Sequence, residues 1–191
     1  MMMKQLPGIA VSFLLLMNTA AAQTKLSTGW YRASVTRPDA AQLIFNVEVT
    51  DKNKQAVLYI RNGSERLQVD DIKQKGDSVF IDMPFFESSF KLKIQPDHSL
   101  TGLWVKGTST KNLELPVVFT YGVKERLHVS SAAKENISGR WKVDFTRPNG
   151  TNRPAIAEFQ QKGSSLTGTF LTPSGDYRFL EGIISGDSLY L

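Results

Sequence analysis

Leu43, Phe45, Val47 and Val49 occupy every second position of one stretch of the chain. The same spacing returns at Leu67 and Val69, at Val79, Ile81 and Met83, at Phe90, Leu92 and Ile94, and at Trp141, Val143 and Phe145. Side chains of an extended strand point alternately to its two faces, so a period of two collects the apolar residues on one face. Lys91 and Lys93, interleaved with Phe90, Leu92 and Ile94, mark the wet face. Between the runs sit Asn62-Gly63, Lys75-Gly76-Asp77, Pro96-Asp97, Pro148-Asn149-Gly150, Lys162-Gly163 and Ser174-Gly175-Asp176. Residues of these types tolerate positive φ or hold φ at the value a turn needs. Short strands joined by turns, with no crossover helix, predict an all-β antiparallel fold, either a lipocalin-like barrel or a sandwich. Residues 130–136 are the single candidate for a short helix.

The pattern is duplicated. Thr36-Arg37-Pro38 recurs as Thr146-Arg147-Pro148, and Gly76-Asp77-Ser78 as Gly186-Asp187-Ser188, both at an offset of 110. In that frame Glu48 meets Glu158, Val49 meets Phe159 and Ile60 meets Phe170, while Trp30 recurs as Trp141 at 111, which implies a one-residue slip. The first copy runs from Trp30 to Gly122, 93 residues, and the second from Trp141 to Leu191, 51 residues. The second copy is therefore expected to be incomplete, to present an open strand edge and to invite self-association through it. The expected organisation is a signal peptide over 1–22, a first β unit over 23–123, a linker over 124–136 and a truncated second unit over 137–191.

The signal peptide is read from Lys4, the apolar run at residues 9–17, and Ala20 and Ala22 placed as the −3 and −1 residues of a cleavage site before Gln23. A spanning helix needs about 20 apolar residues, more than this run supplies, so no stable membrane insertion is expected. The reading is an exported, periplasmic protein. Its charge without residues 1–22 is 22 basic minus 18 acidic residues, since Lys4 is the only charge lost. Both signs are interspersed, as at Lys73 and Lys75 beside Asp70, Asp71 and Asp77, which argues against a nucleic-acid partner. The absence of cysteine excludes thiol nucleophiles, thiolate metal sites and disulfides.

Residues 137–191 carry Gly139, Trp141, Gly163, Leu166-Thr167-Gly168-Thr169-Phe170, Gly175-Asp176-Tyr177-Arg178, Leu180-Glu181-Gly182 and Gly186-Asp187-Ser188-Leu189. This stretch resembles the region preceding the thioredoxin-like domain in periplasmic TlpA-like/redoxin thiol:disulfide reductases of Bacteroides and its relatives. Residues 26–122 resemble the more divergent first part of the same region. The resemblance implies a non-catalytic β accessory region that docks or presents partners to a thioredoxin-like domain, supplied in cis or in trans. The redox Cys-x-x-Cys pair of those reductases has no counterpart in a chain without cysteine, so thiol–disulfide exchange is not expected of these residues. The alternative reading is a stand-alone periplasmic module that binds a small apolar or glycan ligand. No enzyme activity and no cofactor are expected.

Few residues stand out as functional candidates. Trp30 and Trp141 open the two copies, and core tryptophans closing a barrel end are the expectation. Phe85 and Phe86 are consecutive, so one of them turns outward in extended backbone, and with Trp104 they form the candidate ligand or partner surface. Asp77 and Asp187 mark the repeated turn. Asp77-Ser78-Val79 and Asp187-Ser188-Leu189 also resemble a short acceptor pattern for protein O-glycosylation in Bacteroides-type bacteria, while Asn62-Gly63-Ser64 reads first as a hairpin turn. Asp176 and Glu181, five apart, should face opposite sides of a strand, which does not suit a paired-carboxylate mechanism. His98 and His128 lie in a turn and in the linker, with no shared metal site expected.

Overall fold

In a computed structural model of the chain, the described residues are 25–85, 87–107 and 111–191. The signal-peptide segment lies outside them, as does Phe86. The first sheet holds β1 (Gly29–Thr36), β2 (Gln42–Lys52), β3 (Gln55–Asn62), β4 (Glu65–Val69), β5 (Ile72–Lys75), β6 (Ser78–Asp82), β7 (Ser88–Ile94), β8 (Leu100–Lys106) and β9 (Leu113–Tyr121). Their order across the sheet is β4-β3-β2-β1-β9-β8-β7-β6-β5. All pairings are antiparallel. The two edge strands, β4 and β5, are consecutive in the chain and separated by Asp70 and Asp71 alone. The sheet therefore curls round until its edges are two halves of one bent strand, the first on β3 and the second on β6. The result is a near-closed barrel.

The alternation read from the sequence is what fills it. Tyr31, Ala33 and Val35 of β1 stand opposite Val47, Phe45 and Leu43 of β2, and the inward set continues through Leu58, Val69, Val79, Ile81, Phe90, Leu92, Leu100, Val117 and Phe119. Lys91 and Lys93 point outward, as expected. Closure of the barrel pairs the inner strands on both sides, leaving no long free edge.

The second sheet holds β10 (Gly139–Thr146), β11 (Asn152–Lys162), β12 (Ser165–Thr172), β13 (Gly175–Asp176), β14 (Leu180–Ser185) and β15 (Ser188–Tyr190). Its order is β10-β11-β12-β14-β15, with β13 also on β12. Registers repeat at an offset of 110: Gly29 faces Val49 as Gly139 faces Phe159, and Lys75 faces Ser78 as Ser185 faces Ser188. Among the described residues nothing stands where β7, β8 and β9 stand in the barrel. The second unit is an open half-barrel.

Three sequence expectations need correction. The repeat has no slip: Gly29 and Gly139 are equivalent, with φ 132° and 126°, so Trp141 takes the place of Tyr31 and Arg140 that of Trp30. Hydrogen bonding agrees, because Tyr31 Oη donates to Ser27 O at 2.8 Å and Trp141 Nε1 donates to Ile137 O at 2.9 Å, each reaching back four residues. Neither tryptophan is core. Trp30 lies on the outer barrel face between the Arg61 guanidinium and the Lys124 ammonium, at 5.5 and 4.9 Å from its ring. Trp141 points to the concave side of the half-barrel and is 49% exposed, because no further strands roof that side. The third correction is residues 130–136, which form no helix. Their backbone polar groups bond instead to the half-barrel, Lys134 N to Gly186 O at 2.9 Å and Ser130 N to Ser185 Oγ at 3.0 Å, and a segment this short gains little from helix nucleation.

Candidate functional site

The two ends of the barrel differ. At one end residues 25–28 cross the opening and close it. Leu26 N donates to Gln74 Oε1 at 3.0 Å, Tyr121 Oη donates to Thr28 O at 3.1 Å, and the Ser27 hydroxyl sits 3.1 Å from His98 Nδ1. Tyr31 is completely buried there, edge-on to Tyr121 with ring centroids 5.2 Å apart. Burial raises the Tyr31 phenol well above its ordinary range, with Tyr121 adding to the shift and the bond to Ser27 opposing it. The middle of the barrel is filled by three rings, Phe45, Phe90 and Phe119, whose centroids lie 5.3–6.3 Å apart.

Above these rings the barrel opens. Val35, Leu43, Phe45, Ile60, Leu67, Met83, Phe90 and Trp104 line an open-mouthed cavity of about 280 Å³, and among the described residues Ser88 contributes the one hydroxyl of its lining. Alternation places these side chains: Trp104 faces Phe90 across β7 and β8, Leu43 faces Val35 across β1 and β2, and Leu67 faces Ile60 across β3 and β4. Among the described residues no charged group lines the cavity. Apolar side chains reach the mouth, Leu43 43% and Phe85 57% exposed, alongside the polar turn from Asn62 to Glu65. Phe85 belongs to the β6–β7 connection, whose ends Met83 and Ser88 line the cavity and whose Glu87 (φ 44°) accepts a hydrogen bond from Gly107 N at 2.9 Å. A barrel of about eight strands is just wide enough for side chains or one small ligand, and this one is under-filled at one end only.

The half-barrel grips the rim. Gly63 N donates to Glu181 Oε2 at 2.8 Å, Asn62 Nδ2 donates to Phe179 O at 2.8 Å, and Arg178 pairs with Glu65 at 3.5 Å. Arg126 donates to Glu181 O, and burial lowers its guanidinium pKa against the opposing pull of Glu181. These contacts hold the β3–β4 hairpin that carries Ile60 and Leu67. The segment that makes them leaves the second sheet after β13, with Arg178 at φ 51°. A wider depression of about 470 Å³ lies on the half-barrel beside Arg140, Glu158, Asp176 and Arg178. Its charges are already engaged: Arg140 pairs with Glu158 at 2.9 Å and Asp176 Oδ1 accepts from Arg178 N at 3.1 Å.

Of the sequence candidates, Trp104 lines the cavity and Phe85 sits in the loop at its mouth. Asp77 and Asp187 are equivalent turn residues beside Gly76 and Gly186, at φ 61° and 63°, and pair with Lys93 at 3.2 Å and Lys134 at 3.4 Å. Asp176 and Glu181 are engaged separately, as described. His98 packs edge-on against Tyr121, while His128 faces Glu125 at 4.0 Å. Among the described residues no group of His, Asp or Glu side chains could hold a metal ion, and no helix is long and apolar enough to cross a membrane. Sequence reading missed the remaining cavity residues, because inward alternation marks core and cavity positions alike. Compared with protein-family models, with curated proteins and with solved structures, the chain finds no match.

Proposed function

We propose that the chain is a binding protein for a small apolar molecule, held in the open end of a lipocalin-like barrel. The observation that supports this reading is the cavity of about 280 Å³ lined by aliphatic and aromatic side chains, with Leu43 exposed at its mouth. Its size lies just below the common range for small-molecule sites, about 300–1,000 Å³. A sugar would lose its hydroxyl hydration against a wall whose described residues offer one hydroxyl in return, at a cost of roughly 1–3 kcal/mol for each unpaired group. The glycan form of the reading is therefore set aside in favour of an apolar ligand. Export to the periplasm belongs to the proposal through the residues 9–17 run and the Ala20-x-Ala22 site. The accessory reading, docking of a thioredoxin-like domain, rests on the sequence resemblance alone.

The test uses Trp104 as reporter. In a Trp30→Phe, Trp141→Phe background, titration with an aminoanthracene should quench Trp104 emission saturably at one site per chain. Leu43→Asp, at a rim position 43% exposed, should weaken that binding at least tenfold in a variant whose far-UV circular dichroism matches the parent's. Failure to saturate, or binding unchanged by Leu43→Asp, would refute the reading.

A further inference from the structure

β1 and β10 are the same strand in two copies of one unit, and their surroundings differ on one side. β1 is hydrogen-bonded to β2 and to β9, whereas β10 pairs with β11 and has no second neighbour among the described residues. The inward positions of β1, Tyr31, Ala33 and Val35, are buried. Their equivalents Trp141, Val143 and Phe145 are exposed or half-exposed. An edge of eight residues with free backbone donors and acceptors and an apolar inner side is a template for another strand. Natural edges of this kind are usually blunted by proline, a bulge, an inward-pointing charge or edge lysines; β10 has no proline, bulge or inward charge, and its outward Lys142 is followed two residues on by Asp144.

The sequence of β10 is self-complementary in one register. We propose that β10 pairs antiparallel with β10 of a second copy of this chain across a two-fold axis at Val143. Antiparallel self-pairing about Val143 sets Trp141 opposite the partner's Phe145, and Lys142 opposite the partner's Asp144, each twice by symmetry. The axis runs perpendicular to the sheet, so both copies keep Trp141, Val143 and Phe145 on the same concave side. Lys142 and Asp144 are exposed on the convex side, and among the described residues neither has an ion-pair partner in its own chain. Neighbouring registers are worse. Centring on Lys142 or Asp144 sets like charges directly opposite each other, and centring on Trp141 sets Lys142 against Arg140. Opposite charges directly across an antiparallel pair stabilise it and like charges destabilise it, so the alternation of charge along β10 selects one isologous contact.

Sedimentation equilibrium of the purified chain over a concentration series tests this. A monomer–dimer equilibrium is expected. Lys142→Asp, a surface change that leaves each sheet's core intact, should raise the dissociation constant about tenfold or more, because it creates two Asp–Asp juxtapositions. Asp144→Lys should do the same through two Lys–Lys juxtapositions. The double variant Lys142→Asp/Asp144→Lys reverses both signs and should restore association to near the unmodified value. A chain that stays monomeric throughout overturns the proposal. So does a dimer indifferent to the single changes, or a double variant no tighter than either single one.

Discussion

Tyr31 and Trp141 occupy the same position in two copies of one unit, which makes a controlled experiment. Tyr31 is 0% exposed, donates a hydrogen bond to Ser27 O and abuts Tyr121. Truncating a buried aromatic to alanine costs about 3–5 kcal/mol through lost transfer energy and the cavity left behind, and losing a buried hydrogen bond adds about 1 kcal/mol. Tyr31→Ala is therefore expected to cost about 4–6 kcal/mol. Trp141 makes the equivalent hydrogen bond but is 49% exposed. Half of a large aromatic is roughly 100 Å², worth about 2.5 kcal/mol at about 25 cal/mol per Å² as an upper bound. Removing it opens no closed cavity, so Trp141→Ala should cost about 2 kcal/mol or less. Urea unfolding followed by far-UV circular dichroism, in protein dilute enough to be monomeric, should separate the two variants by at least about 2 kcal/mol. Equal losses, or a larger loss for Trp141→Ala, would refute the claim that the half-barrel lacks a roof over this residue.

Other outcomes follow from the same geometry. The Tyr31 phenol is raised in the folded protein, so the unfolded chain ionises first; that contribution is complete below about pH 10 and is lost as pH climbs toward the folded value. Tyr31→Phe should remove this component from the alkaline loss of stability measured by denaturant titration. Gly63 and Gly76 both have positive φ, 57° and 61°, but an added Cβ at Gly63 would lie 2.8 Å from Phe179 Cε1, whereas none of its neighbours approaches within 4 Å at Gly76. Gly76→Ala should cost about 1–2 kcal/mol for backbone strain alone, and Gly63→Ala measurably more, with weakened contact between the two units seen by limited proteolysis. Hydrogen exchange of the dilute monomer should be faster across β10 than across β1, because one side of β10 has no strand partner among the described residues. Equal protection would argue that β10 is covered.

Much of the fold was legible in the residue order because strand structure has a period of two, and that period is local. Phe90, Leu92 and Ile94 announce an inner face whatever lies across from them. The Gly-Asp-Ser turns at Asp77 and Asp187 announce a duplicated unit by their spacing. The all-β class, the antiparallel turns and the incompleteness of the second copy all follow from such local signals. Tertiary structure decided the rest. Nothing in Val35, Leu43, Ile60, Leu67 and Trp104 as letters distinguishes a cavity wall from a packed core. The difference arises where Phe45, Phe90 and Phe119 fill the middle of the barrel and residues 25–28 cross only one end. The match of Trp30 with Trp141 was misleading for a related reason. Like residues align by identity, but strand position is set by backbone pairing, and pairing puts Trp141 where Tyr31 stands. The same inward position is buried in one copy and open in the other because burial is a property of neighbours, and the neighbours of β10 differ from those of β1.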